Sequence, residues 1–176
     1  MNTEQTKTLK ALQFSIQMEI QGKDYYLKAS QECSIKVGRE LFEWLAGQED
    51  WHRQKFERIY QAIRDSKAWP DIKVTASGQD VPATIFSQIT REAYCEVKDP
   101  TVELHAIGGA MELENKTHNY YKKQSSDSAQ EAPKAFYTAL AAEERKHYLA
   151  LVDYREYIVD PEGWFRKIEH HSLDGG

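Results

Sequence analysis

Two apolar seams in this chain are each broken by one acid and one imidazole. Read at helical spacing, the first seam is Leu41, Leu45, Glu49, His52, Phe56, Ile59 and Ile63. The second is Phe136, Leu140, Glu144, His147, Leu151, Tyr154 and Ile158, in the same register. Residues three and four apart share one face of a helix, so each Glu-x-x-His set turns toward the same side as the leucines around it. A buried carboxylate without a partner is costly enough that it would sooner neutralise itself. Something must therefore compensate both sites, and neither seam carries a Lys or Arg to do it.

Glu49 and Glu144 stand 95 residues apart, and the same shift without a gap carries Glu19 onto Glu114 and Tyr25-Tyr26 onto Tyr120-Tyr121. Leu45-Ala46 falls on Leu140-Ala141 and Ile63 on Ile158. The chain reads as one helix pair written twice. Glu19 lies on its own apolar stripe with Leu9, Leu12, Ile16 and Tyr26, and Glu114 on another with Leu104, Ile107, Met111 and Tyr121. Four Glu and two His thus face one core.

Four ionised carboxylates are balanced by two divalent cations, so this inventory suits a dinuclear metal site bridged by carboxylates. Helix bundles with such a centre draw one Glu from each of two helices and a Glu-x-x-His set from each of the other two.

The chain resembles the ferritin-like superfamily, and within it the rubrerythrin-type diiron domains, over about residues 9 to 160. The resemblance rests on these six positions and on Met-Glu-Ile-Gln-Gly-Lys-Asp-Tyr-Tyr at 18–26 and Ala-Glu-Glu-Arg-Lys-His-Tyr at 142–148. It implies an all-α, ferritin-like four-helix bundle of two repeated helix pairs, with a long crossover and a short C-terminal helix, forming a single domain over 1–176. It also implies that Glu19, Glu49, His52, Glu114, Glu144 and His147 bind two iron ions. Glu49 and Glu144 would bridge them, Glu19 and Glu114 would bind terminally, and Tyr26 and Tyr121 would stand just behind the ligands. Manganese accepts the same donors at either position.

Two departures from rubrerythrins stand out. Thr117 occupies the place of a glutamate three residues beyond the terminal ligand, which makes the ligand set similar to that of bacterioferritins, although Asp50 stands where those proteins place a haem-binding Met. Cys33 and Cys95 form no Cys-x-x-Cys pair of the rubredoxin kind. Electrons are then expected from a separate, rubredoxin-like carrier.

The expected activity is reduction of hydrogen peroxide or dioxygen at an iron pair. The alternatives are a ferroxidase or iron-storage protein and, as a third class, a diiron hydroxylase of an organic substrate. The long crossover suggests a homodimer, with helices exchanged as in some rubrerythrin relatives. His118, four residues after Glu114, is either a further ligand, a histidine satisfied near the site or a surface residue. His105, His170 and His171 read as surface residues, Glu112 and Glu143 as solvated, and both cysteines as inert.

Net charge is −5 with no basic stripe, which argues against a nucleic-acid partner. The polar start Met-Asn-Thr-Glu-Gln-Thr-Lys and the lack of a long apolar run predict a cytoplasmic protein with no membrane association. Helices are expected over about 4–31 and 36–65. A breaker-rich crossover follows from Trp69-Pro70 to Val81-Pro82, with a short helix over 82–94. Asp99 as N-cap and Pro100 at the first helical position should open a third helix that ends near Lys123. Ser125 to Ser128 then form a loop, Pro133 marks the first turn of a fourth helix that runs to about Val159, and Asp160-Pro161 opens a last one whose Trp164 and Phe165 close the bundle.

Overall fold

The two interrupted seams become the buried faces of long helices. The computed structural model describes residues 3–65, 68–72, 74, 82, 85–86 and 100–173. Its helices are α1 (Thr3–Glu32), α2 (Lys36–Arg64), α3 (Thr101–Asp127), α4 (Glu131–Val159) and α5 (Pro161–Leu173), and no strand occurs among the described residues. This is an all-α, ferritin-like bundle. Only Cys33 to Ile35 separate α1 from α2, and only Ser128 to Gln130 separate α3 from α4, so each pair folds back on itself as an antiparallel hairpin.

Reciprocal bonds relate the two hairpins. Tyr25 Oη donates to the Ala106 carbonyl at 2.8 Å, and Tyr120 Oη to the Ala11 carbonyl at 3.3 Å. Both donors and both acceptors are 95 residues apart, so this is one contact made twice about an approximate two-fold axis. The sequence repeat is thereby a repeat in space.

The core is split into two apolar layers. One gathers Tyr26, Phe42, Leu45, Ile107, Leu151, Tyr154, Tyr157 and Trp164, and the other Leu12, Phe56, Ile59, Tyr121, Phe136, Tyr137 and Leu140. Each fully buried aliphatic or aromatic side chain among them contributes roughly 1.5–3 kcal/mol. Along α2 the order is Leu45, Glu49, His52, Phe56, and along α4 it is Leu140, Glu144, His147, Leu151. The acids and imidazoles therefore occupy the level between the layers, with oily plugs above and below.

Trp164 packs edge-on against Tyr157 at 5.3 Å and, with Phe165, closes one end. The other end is covered by Trp69, 5.8 Å from Phe136 and 6.1 Å from Tyr137. α5 starts as expected: Asp160 precedes Pro161, and its Oδ1 accepts the Gly163 N–H at 3.0 Å, relieving an otherwise unpaired donor of the first turn.

Two boundaries differ from expectation. Pro100 is the N-cap of α3 rather than its first helical residue, because its carbonyl already accepts the Leu104 N–H at 2.9 Å; Asp99 lies outside the described residues. The helix also continues through the expected serine loop to Asp127. Ser126 and Ser128 turn their hydroxyls onto the carbonyls of Lys122 and Gln124 four residues back, and Ser125 Oγ meets Thr138 Oγ1 at 2.7 Å, so these serines bond to helices instead of breaking one. Of the expected crossover helix, Pro82, Ile85 and Phe86 are helical and the rest lies outside the described residues. No described helix is long and apolar enough to cross a membrane.

Close packing at the α1–α2 turn gives a stability prediction. A Cβ at Gly38 would overlap Tyr154 Oη and lie 2.5 Å from Cys33 Sγ, both buried. Gly38→Ala should cost about 1–3 kcal/mol through this overpacking, seen as a lower midpoint in thermal unfolding. An unchanged midpoint would mean that this corner is looser than its distances.

Candidate metal centre

All six seam and stripe residues meet in the level between the apolar layers. Glu19, His52 and Glu144 are 0 % exposed, Glu114 and His147 1 %, and Glu49 2 %. Two groups of donors form: Glu19, Glu49, His52 and Glu144, and then Glu49, Glu114, Glu144 and His147, the ligand atoms of each lying within 4.8 Å of one another. Glu49 and Glu144 belong to both. Glu19 and Glu114 belong to one group each.

The imidazoles obey the two-fold relation. His52 Nδ1 is 3.5 Å from Glu19 Oε2 and 3.3 Å from Glu144 Oε1. His147 Nδ1 is 3.5 Å from Glu114 Oε1 and 3.7 Å from Glu49 Oε1. The two rings stack with centroids 5.6 Å apart, and Trp44 meets the His147 ring edge-on at 5.4 Å.

Tyr26 Oη donates to Glu114 Oε1 and Tyr121 Oη donates to Glu19 Oε1. Each tyrosine thus serves the glutamate of the opposite hairpin, and helix pairing rather than neighbourhood in sequence sets the partner. Burial, reinforced by Glu114 for Tyr26 and by Glu19 for Tyr121, pushes both phenols well above their ordinary range. They remain protonated donors throughout the physiological range.

The protons of the bare cluster follow from its crowding. Burial and then the charges of Glu19, Glu144 and Glu114 raise Glu49 well above a normal carboxyl, and burial with the Glu144 charge raises Glu114 to about 8. Burial opposes charge on His52, but Glu144 and Glu19 outweigh it and hold the ring up to about 9. Burial likewise opposes charge on His147, and Glu114 with Glu144 hold that ring up to about 10. Burial also works against the Glu144 carboxylate, but the two imidazoles beside it, His147 and His52, hold it well below the usual range. Protons take the place of cations here.

That substitution is incomplete. Glu19 Oε2, Glu49 Oε1, Glu114 Oε2, Glu144 Oε1 and both ring nitrogens of His52 and of His147 are buried without a hydrogen-bond partner. The native rule is that such atoms are paired. No Lys or Arg is among the buried residues described. Donors to one first-row ion, each about 2.0–2.2 Å from it, stand up to about 4.4 Å apart. Each group is close to that spread, so the residues present fit a pair of divalent metals.

Other expectations can be placed. His118 Nδ1 bonds the Ala141 carbonyl at 2.7 Å and stands outside both donor groups. His105 and Glu112 are exposed, while His170 and His171 have side chains outside the description. Glu143 is not solvated: it is 9 % exposed and paired with Lys146 Nζ at 2.8 Å, because α4 is buried over a wide arc from Tyr137 through Ala150. Cys33 is buried beside Tyr154, and burial raises its thiol, which favours the unreactive form.

Gly22 and Trp44 were not legible as site residues. A Cβ at Gly22 would fall 2.8 Å from Glu49 Oε2, so the missing side chain is what lets that carboxylate lie against α1. The repeat carries the signal for Gly22, since it stands 95 residues before Thr117; nothing in sequence marks Trp44.

A protein-family model described as Rubrerythrin matches residues 10–154. No curated protein and no solved structure matches the chain.

Proposed function

The chain belongs to the rubrerythrin family, and from that premise we propose that it is a non-haem diiron oxidoreductase that reduces hydrogen peroxide or dioxygen with electrons from a separate carrier. The observation that carries this reading is the membership of Glu49 and Glu144 in both donor groups. Shared carboxylates hold two ions close together, as a two-electron step on one small oxidant requires. An iron pair held there by these carboxylates and imidazoles would supply those two electrons to the oxidant.

The chain's own residues do the rest. Glu49 and Glu144 span the two positions, Glu19 with His52 completes one, and Glu114 with His147 completes the other. Tyr121 and Tyr26 fix the outer glutamates through their phenol protons. Leu45, Phe56, Leu140 and Leu151, all 0 % exposed, keep bulk water from the level between them. Metal held there would displace the protons that Glu49, Glu114 and the imidazoles carry without it.

The test is to load the protein anaerobically with Fe(II) and add hydrogen peroxide. The expected result is two irons bound per chain, oxidised well ahead of free ferrous iron with one peroxide consumed per pair, and then reduced again by a rubredoxin-like donor. No acceleration over free iron would defeat the peroxidase reading. Thr117 in place of a glutamate favours a second reading, ferroxidase with storage. Under it, aerobic loading would leave many more than two irons per chain in a large particle.

A further inference from the structure

The two shared carboxylates are equivalent in the repeat but not in what touches them. Glu49 maps onto Glu144, and the residue three places after each outer glutamate is Gly22 in one hairpin and Thr117 in the other. Thr117 is 7 % exposed and sets its Oγ1 3.2 Å from Glu144 Oε2. At the matching place Gly22 has no side chain to offer, and Glu49 Oε2 lies directly over it. One shared carboxylate therefore has a hydroxyl donor from the neighbouring helix of its own hairpin. The other has bare backbone.

The Thr117 hydroxyl has a single proton and three acceptors in reach: Glu144 Oε2, the Leu113 carbonyl at 3.1 Å and the Glu114 carbonyl at 3.1 Å. A charged carboxylate is a stronger acceptor than an amide carbonyl, so the proton belongs to Glu144. Glu144 is also faced from both sides, its Oε1 by His52 and its Oε2 by His147. Glu49 Oε1, which like Glu144 Oε1 has no hydrogen-bond partner, faces one imidazole instead of two, that of His147 at 3.7 Å.

We propose that Thr117 and Gly22 are positioning residues that make the two bridges unequal: Thr117 holds Glu144 in one place, and Gly22 leaves Glu49 as the carboxylate that yields when a small anion enters the centre. The proposal rests on the metal reading above and adds to it which side of the centre opens. The entering ligand is a small anion of two or three atoms, the size class of deprotonated peroxide. Because Glu49 and Gly22 both belong to the first hairpin, the yielding side is the α1–α2 side, and the α3–α4 side is the fixed frame.

The test uses Co(II) as metal and azide as anion. Crystals of the Co(II)-loaded protein are examined with and without sodium azide, alongside Thr117→Val and Thr117→Ser crystals treated in the same way. In the native protein azide should give Glu49 a second position and leave Glu144 in one. Thr117→Val, which keeps the shape and loses the donor, should let Glu144 take a second position too, and Thr117→Ser should restore the native pattern. A Glu49 that stays put under azide, a Glu144 that moves with it in the native protein, or a Thr117→Val centre no different from native would each overturn the proposal. Cobalt missing from the cluster would overturn the metal reading and the proposal together, while cobalt present with two bridges behaving alike would overturn the proposal alone.

Discussion

Glu144→Gln should empty both metal positions at once, whereas Glu19→Gln should weaken one and leave the other. The reason is membership: Glu144 lies in both donor groups and Glu19 in one. Loss of a residue that only supports a ligand costs roughly 10–100-fold in metal affinity, so loss of a ligand shared by two ions should cost each of them more than about 100-fold on the same scale. Co(II) titration with elemental analysis should then give near two ions per chain for the native protein, one for Glu19→Gln and none retained for Glu144→Gln. Glu49→Gln should behave like Glu144→Gln toward metal. One ion kept by either bridging variant would mean that the two groups do not share that carboxylate.

The metal-free forms should separate those two variants. Glu144 is the carboxylate held ionised between two imidazoles, and removing its charge leaves two buried cations with less compensation. Breaking a buried pair in this way costs about 3–5 kcal/mol, and for a chain of this size each kcal/mol lowers the unfolding midpoint by roughly 2–4 °C. Glu49 is already pushed toward its neutral form by burial and by its three carboxylate neighbours. Glu49→Gln should therefore leave the metal-free midpoint unchanged or raise it.

The site was legible because few side chains can interrupt an apolar seam. Glu49, His52, Glu144 and His147 stood out against leucine and phenylalanine, and the 95-residue shift brought in Glu19 and Glu114. The same shift implied a two-fold relation, which the bonds of Tyr25 and Tyr120 display. Which glutamate each buried tyrosine serves was not legible, since Tyr26 reaches Glu114 only after the hairpins face one another. Glu143 was misread for a related reason: a helix packed on two sides buries a wider arc than one seam predicts, and Lys146 supplies the charge that makes this tolerable. The serines after Lys123 looked like a loop because their hydroxyls compete with backbone bonds, and here those hydroxyls found helix carbonyls instead. A glycine that makes room for a carboxylate across a helix interface leaves no local mark, and Gly22 shows it.

Stripping the metal should cost more stability as pH rises. In the metal-free protein His52 and His147 are held up to about 9 and about 10, above an ordinary imidazole near 6.5. A raised imidazole contributes fully below the unfolded value, and its contribution drains away as pH climbs through the folded one, because the native state then holds a proton that the unfolded chain has released. For His52 alone that contribution is about 3 kcal/mol. Glu114, raised to about 8, acts in the same direction between the ordinary carboxyl range and 8. Glu144, held low, contributes in full above that range and is lost only on acidification, so it adds no slope here. The metal-free midpoint should therefore fall steadily between pH 6 and 8. Metal binding runs the other way, because both imidazoles must be neutral and Glu49 and Glu114 ionised before they can act as ligands, so each gain in pH strengthens binding. Thermal unfolding with Co(II) and with a chelator, at pH 6 and again at pH 8, should show a gap between the two midpoints that widens by several degrees at the higher pH. A gap that stays constant or narrows would mean that the protons of this cluster are not what the metal displaces.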